Sequence, residues 1–186
     1  MLYDSEKGDF DLIVLGDVML TRHIKQFREP AFLAVRDILR KADAVFCNLE
    51  GNVRRQDEGT PGITVGTYMT TPPELLEDLK DLNFNIVCTA NNHAFDYGEG
   101  GILATMRHLD NAGIARAGSG ANLTQARAPA YLDTARGRLG LVAATSTFRP
   151  WNRAGTQRPD MQGRPGINPL AFKASYQVDA KAMDEL

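Results

Sequence analysis

The chain has 186 residues, 43% hydrophobic and 24% charged, with a formal net charge of -2 and a pI near 5.9. That balance fits a single domain over residues 1–186 with room for a real core, and it excludes collagen-like, coiled-coil and wholly disordered chains. A mildly acidic chain is also no generic binder of nucleic acid or of membrane surfaces.

No transmembrane or signal segment is legible. The longest apolar run near the start, residues 12–15, falls far short of the roughly 18–20 residues that span a bilayer. Asp4, Glu6, Asp9 and Asp11 make an acidic lead-in where a secretory signal would be basic. The localisation expected from sequence is therefore cytoplasmic. Cys47 and Cys88 sit inside separate apolar runs, the setting of buried reduced thiols rather than of a disulfide scaffold.

Along the chain, apolar runs alternate with helical periodicity, the pattern of an α/β domain. Residues 10–16 (FDLIVLG) predict a buried strand, and 31–41 a helix with Phe32, Val35, Ile38 and Leu39 on one stripe. Residues 44–47 predict a second strand and 63–69 an irregular third. Residues 73–82 predict a helix opened by Pro73 and carrying Leu75, Leu76, Leu79 and Leu82. A strand at 85–90 leads to the strongest helix, 98–112, with Ile102, Leu103, Met106 and Leu109 aligned and Gly113 as its stop. Short strands are expected at 114–117 and within 137–144.

From 145 to 170 prolines, glycines and arginines replace apolar periodicity, the texture of a functional or disordered stretch. Residues 175–178 predict a strand and 179–186 the first turns of a helix that stops in mid-pattern. The chain thus reads as the N-terminal portion of a longer protein. Between Arg107 and Arg164 there are nine arginines, no lysine, and only Asp110, Asp133 and Asp160 against them. Such a set is either a solvated face or a surface for anions, which the planar guanidinium binds bidentately.

Three predicted strands run into residues able to ligate a divalent metal: Gly16-Asp17, Asn48-Leu49-Glu50-Gly51 and Asn91-Asn92-His93. In open α/β sheets ligands bind beyond the carboxyl ends of the strands, so these groups should converge. Two carboxylates, an amide oxygen and an imidazole suit Mn, Fe or Zn better than an all-oxygen Mg or Ca cage. Each of Asp17, Asn48 and Asn92 could instead cap a helix or shape a turn. Among the histidines, His108 lies opposite the apolar stripe of its helix and should face solvent, while His23 sits in a segment of unclear structure. His93 stands in a polar loop before the strong helix, with Asp96 three residues on, placed to orient an imidazole that donates a proton.

Gly16-Asp17-Val18-Met19-Leu20 with Arg22, then Asn48-Leu49-Glu50-Gly51, then residues 90–98 (ANNHAFDYG), Gly118-Ser119-Gly120 and residues 164–170 (RPGINPL) form an ordered set. It resembles the capsule-synthesis protein CapA family over about residues 12–170. The resemblance implies bacterial poly-γ-glutamate capsule biosynthesis, with other capsule-synthesis proteins as partners and frequent membrane association. It also implies the calcineurin-like metallophosphoesterase fold, an α/β/β/α sandwich with strand-end loops feeding a dinuclear metal site. Carried over by position, Asn92 matches an amide ligand, His93 a proton donor, and Asp17 and Glu50 strand-end carboxylates. No Asp-x-His signature surrounds Asp17, and the His-containing motifs that the resemblance places after the region of Leu170 are absent, so the sandwich and its metal site are expected to be incomplete at the C-terminus.

Two functions follow from these readings. In the first, the chain serves poly-γ-glutamate production and handles the anionic polymer through its arginines, Arg149, Arg153 and Arg158 among them. In the second, it is a metal-dependent hydrolase of a phosphoester-type bond. There Asp17, Glu50 and Asn92 hold the metal, His93 is the general acid beside Asp96, and Arg22 clamps a phosphate-bearing substrate. A nucleotide-binding domain is disfavoured, since the glycines match neither a P-loop nor a dinucleotide fingerprint.

Overall fold

The computed structural model describes residues 8–64 and 66–185. The chain opens with β1 (Leu12–Val18) and α1 (Pro30–Lys41), in which Pro30 occupies the first turn, where no intrahelical N–H is lost. β2 (Ala44–Leu49) is followed by the short strands β3 (Asn52–Val53) and β4 (Thr70–Thr71). A 3-10 turn (Pro73–Leu75) runs into α2 (Leu76–Asp81), then β5 (Phe84–Cys88) and α3 (Gly98–Ala112). Next come β6 (Ala115–Ala117), β7 (Ser119–Gly120) and α4 (Leu123–Arg127), the last capped by Asn122, whose side chain accepts the Gln125 N–H at 3.0 Å. The hairpin β8 (Ala130–Thr134) and β9 (Gly137–Leu141), a 3-10 turn (Pro150–Asn152), β10 (Gly166–Ile167) and α5 (Ala180–Asp184) complete the order.

The main sheet is four-stranded, in the order β1-β2-β5-β6, and every neighbouring pair in it is parallel. Parallel strands discharge all their carboxyl ends at one edge, which is where the loops after β1, β2, β5 and β6 meet. The fold is thus mixed α/β with a parallel sheet, consistent with the metallophosphoesterase-like architecture expected. The register between β1 and β2 shifts between Val14 and Asp17, and beyond the shift Asp17 pairs with Asn48. Asn48 in turn pairs with Cys88.

Val45, Cys47, Leu49 and Val87 fill one face of this sheet with Leu39, Leu76, Leu79 and Leu109. Ala90, Ala117 and Ala143 form a second cluster, against which Cys88 packs. The two cysteines are therefore free thiols on opposite faces, and burial pushes the Cys47 thiol up to about 12. A third cluster joins Ala94, Ile102 and Ile167, bringing β10 against the helix that follows the His93 loop. α3 ends where expected, at Gly113, whose φ of +70° a Cβ would strain.

Several elements differ from the sequence reading. In α1 only Phe32 and Leu39 reach the core, while Val35 and Ile38 stay exposed. Apart from Val65, which lies outside the described residues, 63–69 forms no strand. The polar groups around it bond instead to the His93 loop: Gly62 N–H to the Asp96 carbonyl at 2.7 Å, and Met69 N–H to the Asp96 carboxylate at 2.7 Å. The 175–178 stretch joins no ladder, and Tyr176 and Val178 are exposed. Segment 145–170 is irregular yet tied down. Thr145 N–H donates to the Asn168 carbonyl and Leu170 N–H to the Thr145 carbonyl, Ala154 N–H reaches the Ile167 carbonyl, and Asn168 N–H reaches the Gly118 carbonyl.

His108 is buried, not solvated. Its Nε2 lies 2.7 Å from Glu58, because the 54–62 loop covers the side of α3 opposite the apolar stripe. The approach there is close: a Cβ on Gly100 would fall 2.6 Å from the Gly59 Cα.

Candidate functional site

The strand-end residues converge into one hydrogen-bonded network. Asn48 Nδ2 donates to Asp17 Oδ1 at 2.8 Å and to Glu50 Oε2 at 2.5 Å, so two carboxylates share one amide nitrogen. Asn91 Nδ2 donates to Asn48 Oδ1 at 3.1 Å and to the Leu49 carbonyl at 2.9 Å. Asn91 is buried and its Oδ1 has no hydrogen-bond partner. Burial raises the Glu50 carboxyl above its ordinary range, and the neighbouring charges of Asp17 and Asp96 push the same way. The Asn48 hydrogen bond and His93 oppose them.

His93 Nδ1 lies 2.8 Å from Asp96 Oδ2, and the Asp96 side chain is almost fully buried. An ionised carboxylate only accepts, so the imidazole donates from Nδ1 and leaves Nε2 for a ligand. Asp96 is itself held by the Met69 N–H, and Asn52 braces the loop by donating to the Ala94 carbonyl at 2.7 Å and accepting the Tyr97 N–H at 3.1 Å. The 54–62 loop that overlies this region is pinned by Glu58, which binds Arg107, His108 and the Arg55 N–H. His23 has a comparable structural role: with the N–H groups of Ile24 and Lys25 it bonds the buried Asp78. Burial works against that carboxylate, yet these bonds hold it below its ordinary range.

A cavity of about 580 Å³ opens beside His93. Asn92, His93, Phe95 and Asp96 form one wall, and residues 146–149 with Asn152 form the other. Arg149 lies on that second wall. Arg153 does not line the cavity, and its Nε donates to the Pro150 carbonyl at 3.1 Å. Arg22 is exposed, beyond the end of β1, and is not among the lining residues. Asn92 is exposed on the cavity wall, whereas Asn91 is the asparagine turned into the strand-end network.

Five of the nine arginines between Arg107 and Arg164 are neutralised locally. Arg107 pairs with Glu58, Arg116 with Asp110, Arg136 with Asp11 and Asp43, Arg138 with Asp133, and Arg158 with Asp160. Among the described residues Arg149 has no such pair, which leaves its charge to whatever enters the cavity.

Asn152 is the residue that sequence reasoning did not place in the site, while Asn48 and Asn91 stood in the strand-end motifs but were not assigned as ligands. For Asn48 and Asn91 the signal was present, since Asn48 lies two residues before Glu50 and Asn91 directly precedes Asn92. Among the described residues no three His, Cys, Asp or Glu side chains form a metal-holding group. Asp17, Glu50 and the orphaned Asn91 amide offer oxygens of the kind a divalent cation takes.

A family model described as bacterial capsule synthesis protein PGA_cap matches residues 11–184. The uncharacterized protein y4sH of Sinorhizobium fredii is 37% identical over 180 residues, covering 95% of this chain and 39% of that protein. The PGA biosynthesis protein CapA of Bacillus subtilis is 30% identical over 118 residues, covering 61% of this chain and 31% of that protein. The capsule biosynthesis protein CapA of Bacillus anthracis is 24% identical over 149 residues, covering 77% of this chain and 36% of that protein. The chain spans about two fifths of the length of y4sH.

Proposed function

The chain belongs to the bacterial capsule synthesis protein PGA_cap family, and from that premise we propose that it handles an acidic polymer of the poly-γ-glutamate kind in capsule production. The observation that carries this reading is Arg149, a guanidinium without an acidic partner among the described residues, on the wall of a cavity that also holds His93. The cavity volume is within the range of small-ligand sites, and Phe95, Phe148 and Phe172 give it apolar surface for the methylene groups of a chain. Other capsule-synthesis proteins are the partners such a role requires.

The test is a titration with oligo-γ-glutamate at rising salt. Binding should weaken with salt, and Arg149→Ala should reduce it about tenfold, the worth of a charge-assisted hydrogen bond. Arg158→Ala, whose residue is already paired with Asp160, should leave it unchanged. Equal losses in both variants would return the binding to a diffuse basic surface and refute the cavity.

A second reading, a metal-dependent hydrolase, is favoured by the His93–Asp96 pair beside the Asp17–Glu50 carboxylates. Asp17, Glu50 and the Asn91 amide oxygen are the residues that would hold a divalent cation, with Asn92 and His93 on the adjoining loop. When bound, such a cation supplies Lewis-acid polarisation and an acidified water. In this reading His93 delivers a proton from Nε2 while Asp96 fixes its ring. Hydrolysis lost in His93→Ala and on chelation would support it, and activity indifferent to both would exclude it.

A further inference from the structure

Residues 145–170 hold an uneven share of the chain's unanswered positive charge. Between Thr134 and Asp179 the only acidic residue is Asp160, and it is paired with Arg158. Of the nine arginines from Arg107 to Arg164, four have no acidic partner among the described residues: Arg127, Arg149, Arg153 and Arg164. The last three of these stand on one lobe, around the 3-10 turn Pro150–Asn152. Arg149 and Arg153 flank that turn directly, and the exposed Trp151 lies between them in sequence.

Main-chain packing brings Arg153 and Arg164 together. Gly155 N–H donates to the Arg164 carbonyl at 2.9 Å, and Ala154 N–H to the Ile167 carbonyl at 3.0 Å. The two segments lie in contact there, since a Cβ on Gly155 would fall 3.0 Å from the Arg164 Cβ. Arg153 Nε donates to the Pro150 carbonyl at 3.1 Å, and Arg164 Nη2 to the Arg153 carbonyl at 2.8 Å. Each guanidinium is thus tethered by one main-chain oxygen, with its other N–H donors uncommitted among the described residues. Both residues are exposed.

Two like charges held on one short turn repel, and here no carboxylate of the described chain offsets them. A guanidinium offers only donors and positive charge, so what answers the pair is an anion with several acceptor oxygens. The tethers restrict the two side chains before binding, which lowers the entropy lost when an anion arrives. Neither residue lines the cavity, whereas Arg149, at the other end of the turn, does. A small anion occupies one place or the other. A polymer with a carboxylate on every unit engages both.

We propose that Arg153 and Arg164 form a second carboxylate-binding subsite outside the cavity, which holds a further unit of the polymer whose nearer unit is taken by Arg149. The inference rests on the acidic-polymer reading given above and adds a dependence on chain length to it. Two contacts joined through one ligand favour long chains over short ones with no new contact in the cavity.

The intact chain is titrated by calorimetry with di-γ-glutamate and with a long oligo-γ-glutamate. The Arg153→Ala/Arg164→Ala double variant should bind the long chain about tenfold more weakly, the value of a lost charge-assisted contact, and di-γ-glutamate as wild type does. Arg149→Ala should weaken both ligands. Arg138→Ala/Arg158→Ala removes the same charge from arginines that are already paired, and should change neither. In wild type, independently of any variant, the long chain should shift the NMR signals of the Arg153 and Arg164 Nε–H groups, and di-γ-glutamate should leave them in place. A double variant that binds the long chain like wild type, or Nε–H signals unmoved by it, overturns the subsite and leaves the acidic-polymer reading standing. An equal loss of long-chain binding in the Arg138/Arg158 control returns the effect to diffuse charge and overturns the subsite too. Binding of neither ligand by wild type overturns both.

Discussion

Asp96 Oδ2 sits 2.8 Å from His93 Nδ1 and 2.7 Å from the Met69 N–H, so one buried carboxylate oxygen joins the loop after β5 to the segment that leads into β4. The imidazole is thereby fixed in ring plane and in tautomer before any ligand arrives. Asp96→Asn should keep the Met69 contact but let the amide donate to Nδ1 as well as accept from it. Nitrogen NMR of the His93 ring should show one dominant tautomer in wild type and a mixture in the variant. Asp96→Ala, which leaves the Met69 N–H unpaired, should cost about 2 kcal/mol in urea unfolding.

Glu58 makes the fold acid-sensitive at a defined place. The Arg55 N–H, outweighing burial and aided by His108 and Arg107, pulls its carboxyl from an ordinary value of 4.5 down to about 2. A depressed carboxyl contributes stability above its unfolded value and loses it as pH falls toward the folded one. Wild type should therefore weaken between about pH 4.5 and pH 2 through this group, and Glu58→Gln should be less stable at neutral pH with a flatter acid limb. Urea midpoints at pH 6 and pH 3 measure the difference, and parallel losses in both proteins would disprove it.

How far the sequence reached depended on the range of the contacts involved. α3 was legible to the residue because its apolar stripe, its polar entry loop and Gly113 are all local. The convergence of Asp17, Asn48 and Glu50 was legible because parallel strands deliver their ends to one edge. His108 was misjudged because a helix wheel has one apolar stripe, while the second buried face of α3 is covered by Glu58, fifty positions away in sequence. Apart from Val65, segment 63–69 reads as a strand but forms none: its Met69 N–H goes to the Asp96 carboxylate, while only the Met69 carbonyl meets β3, accepting the Asn52 N–H. Which of Asn91 and Asn92 turns inward is a matter of loop backbone that composition does not encode.

Ile167 holds the far wall of the cavity in place. It is fully buried against Ala94 and Ile102, with Phe148 packed on the same cluster. Ile167→Ala should cost about 2–5 kcal/mol in unfolding free energy and loosen the 146–152 turn. Hydrogen exchange at Asn152 and Ala154 should speed up more than exchange in β2, and uniform acceleration would speak against a local anchor.

The strand-end carboxylates should respond to divalent metal. In wild type Mn2+ should raise the thermal midpoint, with about 2.7 kcal/mol gained at a hundredfold excess over the dissociation constant. Asp17→Asn and Glu50→Gln should each lose most of that gain. An undiminished shift in both variants would place the metal elsewhere.

The most direct measurement is a map of where the polymer binds. The ¹⁵N-labelled chain is titrated with oligo-γ-glutamate and amide shifts are followed residue by residue. The account predicts changes centred on Asn92, His93, Arg149 and Asn152, with little movement around the paired Arg138 and Arg158. Shifts spread over the paired arginines, with the cavity residues unmoved, would contradict it.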